Sequence, residues 1–225
     1  NDRVIWATSM VACGDADGAV TGNTRRFGAS LEKIKQVVDV RDGEIMFGLN
    51  MVVHKGKTIF VGDTSVHEYP TSEQMAEIAI STARVVRLFG FEPKVAFVSH
   101  STFGQPLTSR TKHIRKAVDI LKEQKVDFEF DGDMQPDVAL NSEYKELYPF
   151  SNIVGKANIL IMPGQHSAAI SYKMMKTLGD TKVIGPLLIG LGLPIEIAPL
   201  RSSTSELINL ASVAAYSADI IDYKK

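Results

Sequence analysis

Apolar runs rich in β-branched residues alternate with amphipathic helical stretches along almost all of the 225 residues. The runs KVAFVSHST, ANILIMPGQ and IGPLLIGLG have the apolar character of buried strands, whereas SRTKHIRKAVDILKEQ and SAAISYKMMKTL have a helical period. Parallel strands need a crossover connection, which is usually a helix, so this alternation is typical of α/β proteins. The sequence therefore predicts an α/β fold with mostly parallel sheets and flanking helices.

Local signals define several elements within this pattern. Two apolar runs meet at the turn HKGK, which predicts an antiparallel hairpin of residues 45–54 and 58–62. Thr71 and Gln74 have the spacing of a capping box, and Gly90 stands where the helix that they start would end. The stretch QPDVALNSEYKEL predicts one helix over residues 135–147, and the last helix is expected from Ser203 to about residue 219.

Acidic and basic residues are balanced, with 26 of the former and 25 of the latter, and the net charge is −1. They are mixed along the whole length, so the chain has no basic region of the kind that binds nucleic acid or an anionic membrane. We therefore expect neither nucleic acid nor a membrane among its partners. Any anionic ligand must be held by local groups.

Cys13 is the single cysteine, so the chain can form no internal disulfide and no cysteine-based zinc site. A lone thiol suits a reducing compartment, and no apolar run has the length of a membrane span. We recognise no signal peptide and expect a cytoplasmic protein. Because the chain begins at Asn1 within what reads as structured sequence, we also expect it to be a fragment of a longer polypeptide.

The predicted strand ends carry small polar residues, as the lining of a ligand crevice does. In open α/β sheets ligands bind outside the carboxyl ends of the strands, where loops and helix N-termini meet. The residues at these ends are Ser99, His100, Ser101, Thr102, Asp131, Gly132, Asp133, Gly164, Gln165, His166, Ser167, Gly185, Pro186, Arg201, Ser202 and Ser203. Free backbone N–H groups at the helix starts after Pro163 and Leu200 would favour a phosphate or a carboxylate.

Some of these residues also have a structural interpretation. His100 and His166 lack a HExxH pattern and a carboxylate at helical spacing, which favours polar lining groups over metal ligands. Glu206 stands three residues after Ser203, the spacing of a capping box. Four basic residues of one helix can add charge for a phosphorylated ligand, although a solvated helix face is their commoner role. They are Arg110, Lys112, Arg115 and Lys116.

Four blocks, in the same order, resemble the phosphate acetyl/butyryl transferases, or phosphotransacetylases. They are YPTSEQMAEIAISTARVVRLFGFEPKVAFVSHSTFG, DFEFDGDMQPDVAL, VGKANILIMPGQHSAAISYKMMKTL and IGPLLIGLGLPIEI, and the resemblance extends over nearly the whole chain. Within that family, the blocks GDADG and TGNTRRF resemble the version fused behind an NADP-dependent malic enzyme of bacteria.

This resemblance implies two α/β subdomains around a cleft, an architecture like that of the isocitrate and isopropylmalate dehydrogenases. Residues 1–40 and 200–225 would belong to subdomain I, whose N-terminal portion the chain lacks, and residues 41–199 to subdomain II. It implies acetyl-CoA or CoA in the cleft, lined by the strand-end residues together with Tyr172 and Lys173 of SAAISYK. It also implies a dimer or higher homo-oligomer, and a malic enzyme domain that holds NADP and a divalent metal. We expect no cofactor and no metal in this chain itself.

The turn PLRSSTSELI, residues 199–208, departs from the pattern of the active family members. These resemble one another in an SRG turn followed by an acidic residue at the start of the last helix. Laid on that pattern, Pro199 and Leu200 take the places of the serine and the arginine, and Glu206 takes the acidic place. If the turn is catalytic at all, Arg201 and Glu206 are the expected catalytic residues.

Two further positions also lack the polar or cationic residue that active family members carry. Glu32 stands near the place of an arginine that active members carry, and Ala169 replaces an asparagine of AGNIGYK. Acetyl transfer between CoA and phosphate needs a base, cationic groups for the phosphate and donors for the developing oxyanion. The replacements therefore favour a domain that binds acetyl-CoA without transferring the acetyl group.

Three functional interpretations stay open at this point. The first is a regulatory and oligomerising domain of malic enzyme that binds acetyl-CoA, and the substituted turn favours it. The second is an active acyltransferase with a rearranged site. The third is a purely structural dimerisation module, which the polar strand ends weakly disfavour, since ordinary turns also contain such residues.

Overall fold

The computed structural model describes residues 2–220. In chain order its elements are α1 (Arg3–Ala12), β1 (Ala19–Gly22), α2 (Phe27–Ile34), β2 (Phe47–His54), β3 (Lys57–Gly62), α3 (Ser72–Leu88), β4 (Lys94–Val98), α4 (Ser109–Gln124), β5 (Glu129–Met134), α5 (Pro136–Leu140), a 3₁₀ helix (Ser142–Glu146), β6 (Ile159–Ile161), α6 (Gln165–Leu178), β7 (Thr181–Ile189), β8 (Ile195–Ala198) and α7 (Thr204–Ile220). The predicted α/β fold with mostly parallel strands and flanking helices is confirmed.

The chain divides into two compact units. The first joins the residues up to Asn50 with those from Ile184 onwards, and the second is Met51–Val183. The subdomain boundaries expected from the sequence, at residues 40 and 200, both fall within the first unit. The division lies inside β2 and β7 rather than in loops, which is why no turn signal in the sequence marks it.

Six strands form one sheet in the order β5-β4-β6-β3-β2-β7. The pairs β5/β4, β4/β6 and β6/β3 are parallel. Strands β3 and β2 are neighbours joined by Lys55 and Gly56, whose φ angles of 48° and 75° are those of a two-residue hairpin turn. The predicted hairpin is therefore confirmed. Its two strands begin at Phe47 and Lys57, rather than at residues 45 and 58.

The second unit buries both faces of its parallel strands. One face carries Val61, Ala96 and Leu160, which pack with Ala139 of α5 and Ala168 of α6. Successive strand residues point to opposite faces, so the alternate residues lie on the other side of the sheet. There they meet the buried face of α3 and α4, formed by Met75, Ile78, Ile114, Ala117 and Leu121.

The first unit contains a separate two-stranded parallel sheet, β1 paired with β8. Gly22 pairs with Ala198, and a Cβ at residue 22 would collide with the Ala198 carbonyl oxygen, so this close approach requires glycine. The pairing brings the loop after β1 next to the turn after β8. Its Arg201 N–H donates to the Asn23 carbonyl oxygen at 2.9 Å.

Helix boundaries agree with the sequence wherever a cap specifies them. Thr71 and Gln74 form the predicted capping box, and α3 ends just before Gly90, whose φ is 82°. The last helix starts and ends within about one residue of its prediction. The single helix predicted over 135–147 is wrong: the chain forms α5 and a 3₁₀ helix, because Asn141 between them is extended at φ −122° and ψ 117°.

Among residues 2–220, no helix combines the length and the apolar character needed to cross a membrane.

Candidate functional site

The carboxyl ends of β3, β4, β5 and β6 lie on one edge of the sheet, because these strands are parallel. We call this set of ends and their loops the carboxyl edge. It belongs wholly to the second unit, which carries thirteen of the predicted ligand residues, from Ser99 to Lys173. The other five, from Gly185 to Ser203, belong to the first unit.

Asp63 fixes the loop that follows β3. Its buried carboxylate accepts the backbone N–H groups of Ser65, Val66 and His67 at 2.8, 3.2 and 2.7 Å. It also lies 2.8 Å from His67 Nδ1. Asp63 was not among the residues predicted for the site, although an Asp followed by small polar residues after a strand is a known turn signal.

Asp133 fixes the loop that follows β4. Its carboxylate is fully buried and accepts the Ser101 hydroxyl and, at 3.0 Å, the Gly104 N–H. The Phe103 N–H donates to the Asp133 carbonyl oxygen at 2.6 Å. Gln135, just after β5, donates its side-chain amide to the His100 carbonyl oxygen at 2.9 Å. The loops after β4 and β5 are thus tied together.

The Asp133 network continues to His100 at the surface. The Ser101 hydroxyl, which donates to the Asp133 carboxylate, also points at Ser99 Oγ, 3.1 Å away. Ser99 Oγ in turn lies 3.5 Å from Nδ1 of the exposed His100 ring. Ser101 and Ser99 thus connect a buried carboxylate to an exposed imidazole.

Several predicted ligand residues have little free surface. Asp131 is buried and accepts the N–H groups of Gly132 and Asn152 at 2.9 and 2.7 Å, so it anchors a loop. Thr102 is buried and accepts the Gln135 N–H at 3.3 Å. Gly132 lies within β5, where a Cβ would come 2.7 Å from the Phe97 Cβ. Their roles as ligand groups stay predictions, because no ligand contact tests them.

The start of α6 contributes the next group. Exposed His166 places its Nε2 3.0 Å from Glu68 Oε1, and the Ser167 hydroxyl donates to the Gly164 carbonyl oxygen at 2.8 Å. The Gln165 N–H donates to the His67 carbonyl oxygen at 3.3 Å, which joins α6 to the loop after β3. Farther along α6, Tyr172 packs against the core and Lys173 is exposed.

A cavity of about 360 Å³ opens beside these loops. Its lining comes from the start of α3, the start of α4 and the end of the loop after β6. The residues are Tyr69, Pro70, Thr71, Ser109, Arg110, His113, Ile114 and Pro163. Only Arg110 among them was predicted from the sequence as a residue that could contact a ligand. Tyr69 and His113 carry no motif, because strands and helices far apart in sequence bring them together.

In the first unit, the turn at 199–206 uses its polar groups internally. The Ser203 N–H and hydroxyl donate to Glu206 Oε2 at 2.7 and 2.8 Å, and the Glu206 N–H donates back to Ser203 Oγ at 3.3 Å. This is the capping box expected from their spacing. The Ser202 hydroxyl donates to the Pro199 carbonyl oxygen at 2.8 Å, and exposed Arg201 has a left-handed φ of 61°.

Gly185 and Pro186, the remaining predicted residues, lie inside β7. A Cβ at Gly185 would come within 2.6 Å of Asn50 Oδ1 and 2.7 Å of the Leu49 carbonyl oxygen. Glycine is therefore required here for packing in the first unit. Within residues 2–220, no cluster of three or more His, Cys, Asp or Glu side chains could hold a metal ion.

A family model described as phosphate acetyl/butaryl transferase matches residues 1–215 of the chain. The chain belongs to this family. A phosphate acetyltransferase from Clostridium acetobutylicum is 32% identical over 227 residues, which cover 96% of this chain and 68% of that protein. The structure of a phosphotransacetylase from Streptococcus pyogenes superposes with a TM-score of 0.89 at 28% identity, covering 96% of this chain and 67% of that one.

Phosphotransacetylase-family relatives also include malic enzymes. An NADP-dependent malic enzyme from Rhizobium meliloti (strain 1021) is 47% identical over 217 residues, which cover 96% of this chain and 28% of that protein. The chain thus spans less than a third of the malic enzymes that it matches. The resemblance stated from the sequence blocks, to phosphotransacetylases and to the domain carried by malic enzymes, is confirmed.

Proposed function

We propose that this chain is the C-terminal, phosphotransacetylase-like domain of an NADP-dependent malic enzyme, and that it binds acetyl-CoA as a regulatory ligand. The parent polypeptide would oxidatively decarboxylate malate to pyruvate in the cytoplasm, with NADP and a divalent metal in its N-terminal domain. The identity of 47% to a malic enzyme, against 32% to a phosphate acetyltransferase, supports this parent.

The absence of acetyl transfer rests on one observation, the capping box at residues 203–206. Glu206 is the residue that the family pattern would make acidic and catalytic, yet its carboxylate binds the Ser203 N–H and hydroxyl. Pro199 and Leu200 supply neither a hydroxyl nor a cation beside it. A site without a free base and without a phosphate-binding arginine lacks the groups on which transition-state stabilisation depends.

Binding, by contrast, is supported by the carboxyl edge. Its loops are fixed by the Asp63 and Asp133 carboxylates, which accept backbone N–H groups, and a cavity lies beside them. A preorganised site of this kind loses less entropy when a ligand binds. We further propose a homo-oligomer, a dimer or higher, as part of the regulation. The isocitrate dehydrogenase-like arrangement of two subdomains around a cleft also stays a prediction.

Two assays on the parent polypeptide test the proposal. Calorimetric titration with acetyl-CoA should show saturable binding, and malate-dependent NADPH formation should change when acetyl-CoA is added. Propionyl-CoA and free CoA serve as matched ligands that report on recognition of the acyl group. Binding with no effect on NADPH formation would refute the regulatory role, and absence of binding would favour the structural module.

An active acyltransferase is the second candidate. It is supported by the relative named phosphate acetyltransferase, which this chain matches over 68% of its length. In that case Arg201 would supply the missing cation one position away from the family's arginine, and Glu206 would leave its cap to act as the base. Acetyl phosphate formation from acetyl-CoA and phosphate distinguishes this candidate from the first.

A further inference from the structure

The cavity beside α3 and α4 has the size and the lining of a small-ligand pocket. Its volume of about 360 Å³ lies in the range of ligand sites, about 300–1,000 Å³. Pro70, Pro163 and the buried side chain of Ile114 supply apolar surface. The pocket is therefore large enough for a ring system with an attached polar group, and too small for a whole acyl-CoA.

Its charge is positive. No carboxylate is among the eight lining residues, and Arg110 has no acidic partner among residues 2–220. The two acidic residues nearest in sequence to Tyr69 and Thr71 each have another cationic or imidazole partner, since Glu68 contacts His166 at 3.0 Å and Glu73 contacts Lys116 at 2.6 Å. The Arg110 guanidinium is thus available to an anion.

Tyr69 presents a stacking surface. Its side chain is 65% exposed although the ring lines the cavity. Arg110 Cζ lies 5.8 Å from the ring centroid, and the His166 ring centroid lies 6.0 Å away. Exposed aromatic rings beside cationic groups bind nucleobases, because every base has a π-face and the cation meets the phosphate.

Hydrogen bonds of His113 connect the starts of α3 and α4 at the cavity. His113 Nε2 donates to the Pro70 carbonyl oxygen at 2.9 Å, and Nδ1 lies 3.0 Å from Ser72 Oγ. The Ser72 hydroxyl lies 2.8 Å from the His113 carbonyl oxygen. These contacts join the start of α3 to α4 and hold the pocket open, so a ligand need not order it.

We propose that this cavity binds the base and a phosphate of an adenine nucleotide, with the base stacked on Tyr69 and the phosphate paired with Arg110. The ligand has two sources: the phosphoadenosine end of an acyl-CoA, or a free adenine nucleotide. The first source rests on the proposed function, and the second does not.

The test is calorimetric titration of the protein with adenosine 3′,5′-bisphosphate, followed by competition with acetyl-CoA and with acetylpantetheine, which lacks the nucleotide. Tyr69→Ala and Arg110→Ala should each weaken bisphosphate binding at least fivefold, about the loss expected when one stacked base or one charge pair is removed. Tyr69→Phe keeps the ring and should bind within about twofold of the wild type.

Lys112→Ala is the matched charge control, because Lys112 is exposed on the same helix and does not line the cavity. It should also bind within about twofold of the wild type. All three side chains substituted here can be changed without touching the core, so equal thermal midpoints would show that each of the four variants is folded.

The outcomes separate the two proposals. Bisphosphate binding that acetyl-CoA competes for, and acetylpantetheine does not, supports the acyl-CoA source. Bisphosphate binding without competition supports the free nucleotide and removes this cavity from the acyl-CoA site. Acetyl-CoA binding that is equal in all variants, with no bisphosphate binding, overturns the nucleotide site and leaves the proposed function intact. Binding of neither ligand overturns both.

Discussion

The carboxyl edge and the turn at 199–206 have similar compositions and use them differently. Both follow parallel strands and precede helices, the position at which α/β proteins bind ligands. At the carboxyl edge, buried Asp63 and Asp133 hold the loops, and Arg110 remains without an acidic partner among residues 2–220. In the turn, Ser203 and Glu206 bind each other. The hydrogen-bond partners of the polar residues, and not their identity alone, distinguish a candidate site from a helix cap.

Glu196, a buried carboxylate of the first unit, differs from Asp63 and Asp133 of the carboxyl edge, which each accept more than one hydrogen bond. Glu196 is 4% exposed, and within residues 2–220 its carboxylate accepts only the Leu188 N–H, at 2.9 Å. Burial raises the pKa of Glu196 from 4.5 to about 8. The folded state therefore holds this proton more tightly than the unfolded state does.

The stability of the protein should consequently fall as pH rises from about 4.5 to about 8. In this range the unfolded chain has lost the proton and the folded chain keeps it, and the loss totals on the order of 5 kcal/mol. Glu196→Gln should remove this slope in urea unfolding measured across pH 5 to 9. Glu32→Gln, an exposed control, should keep it; equal slopes in wild type and Glu196→Gln would contradict the burial argument.

Asp133→Ala should destabilise the loops of the carboxyl edge. The change leaves the Ser101 hydroxyl and the Gly104 N–H without an acceptor in a fully buried position. We expect a loss of about 3 kcal/mol in the free energy of unfolding. Asp137→Ala removes an exposed carboxylate four residues away and should cost less than about 1 kcal/mol. Similar losses in the two variants would show that the hydrogen bonds to Asp133 stabilise the fold no more than an exposed carboxylate does.

Ser203→Ala tests the turn as a helix cap. It removes the hydroxyl that accepts the Glu206 N–H, so the protein should lose about 1 kcal/mol in urea unfolding. Thr71→Ala makes the same change in the capping box of α3 and should have a similar effect. An unchanged stability for Ser203→Ala would mean that the turn is not committed to capping and is free for chemistry.

Ser99→Ala should have the smallest effect. It removes only the outer hydroxyl of the Asp133 network, which lies 3.1 Å from Ser101 Oγ and 3.5 Å from His100 Nδ1, and Ser101 keeps its hydrogen bond to Asp133. We therefore expect a loss of less than about 1 kcal/mol in urea unfolding. A loss as large as that of Asp133→Ala would show that Ser99, rather than the Asp133 carboxylate, holds these loops.

The sequence predicted those features that depend on neighbouring residues. The turn at Lys55 and Gly56 and the caps at Thr71 and Ser203 were predicted correctly, because each is decided within about four residues. The helix over 135–147 was predicted wrongly, since its composition does not reveal that Asn141 is extended. The sequence blocks that resemble phosphotransacetylases predicted the fold more specifically than the periodicity of the apolar residues did.

Features that depend on distant residues were not predicted. The Asp133 network joins residues separated by 32 positions, and the cavity joins Tyr69 with Arg110 and Pro163. Glu196 lies in the run IEIA, whose apolar character conceals a buried carboxylate. Such contacts follow from strand order and helix packing, which no local pattern in one sequence specifies.

The central claim, binding at the carboxyl edge without acetyl transfer at the 199–206 turn, is tested most directly by release of the CoA thiol. Acetyl-CoA at saturating concentration is mixed with phosphate, and the thiol is followed with a chromogenic reagent. Cys13→Ser protein is used, because Cys13 is exposed and would react itself. The account predicts saturable acetyl-CoA binding with no thiol release above the rate without protein. Release at a rate typical of enzymes, about 1 s⁻¹ or faster, would contradict it and make the turn catalytic.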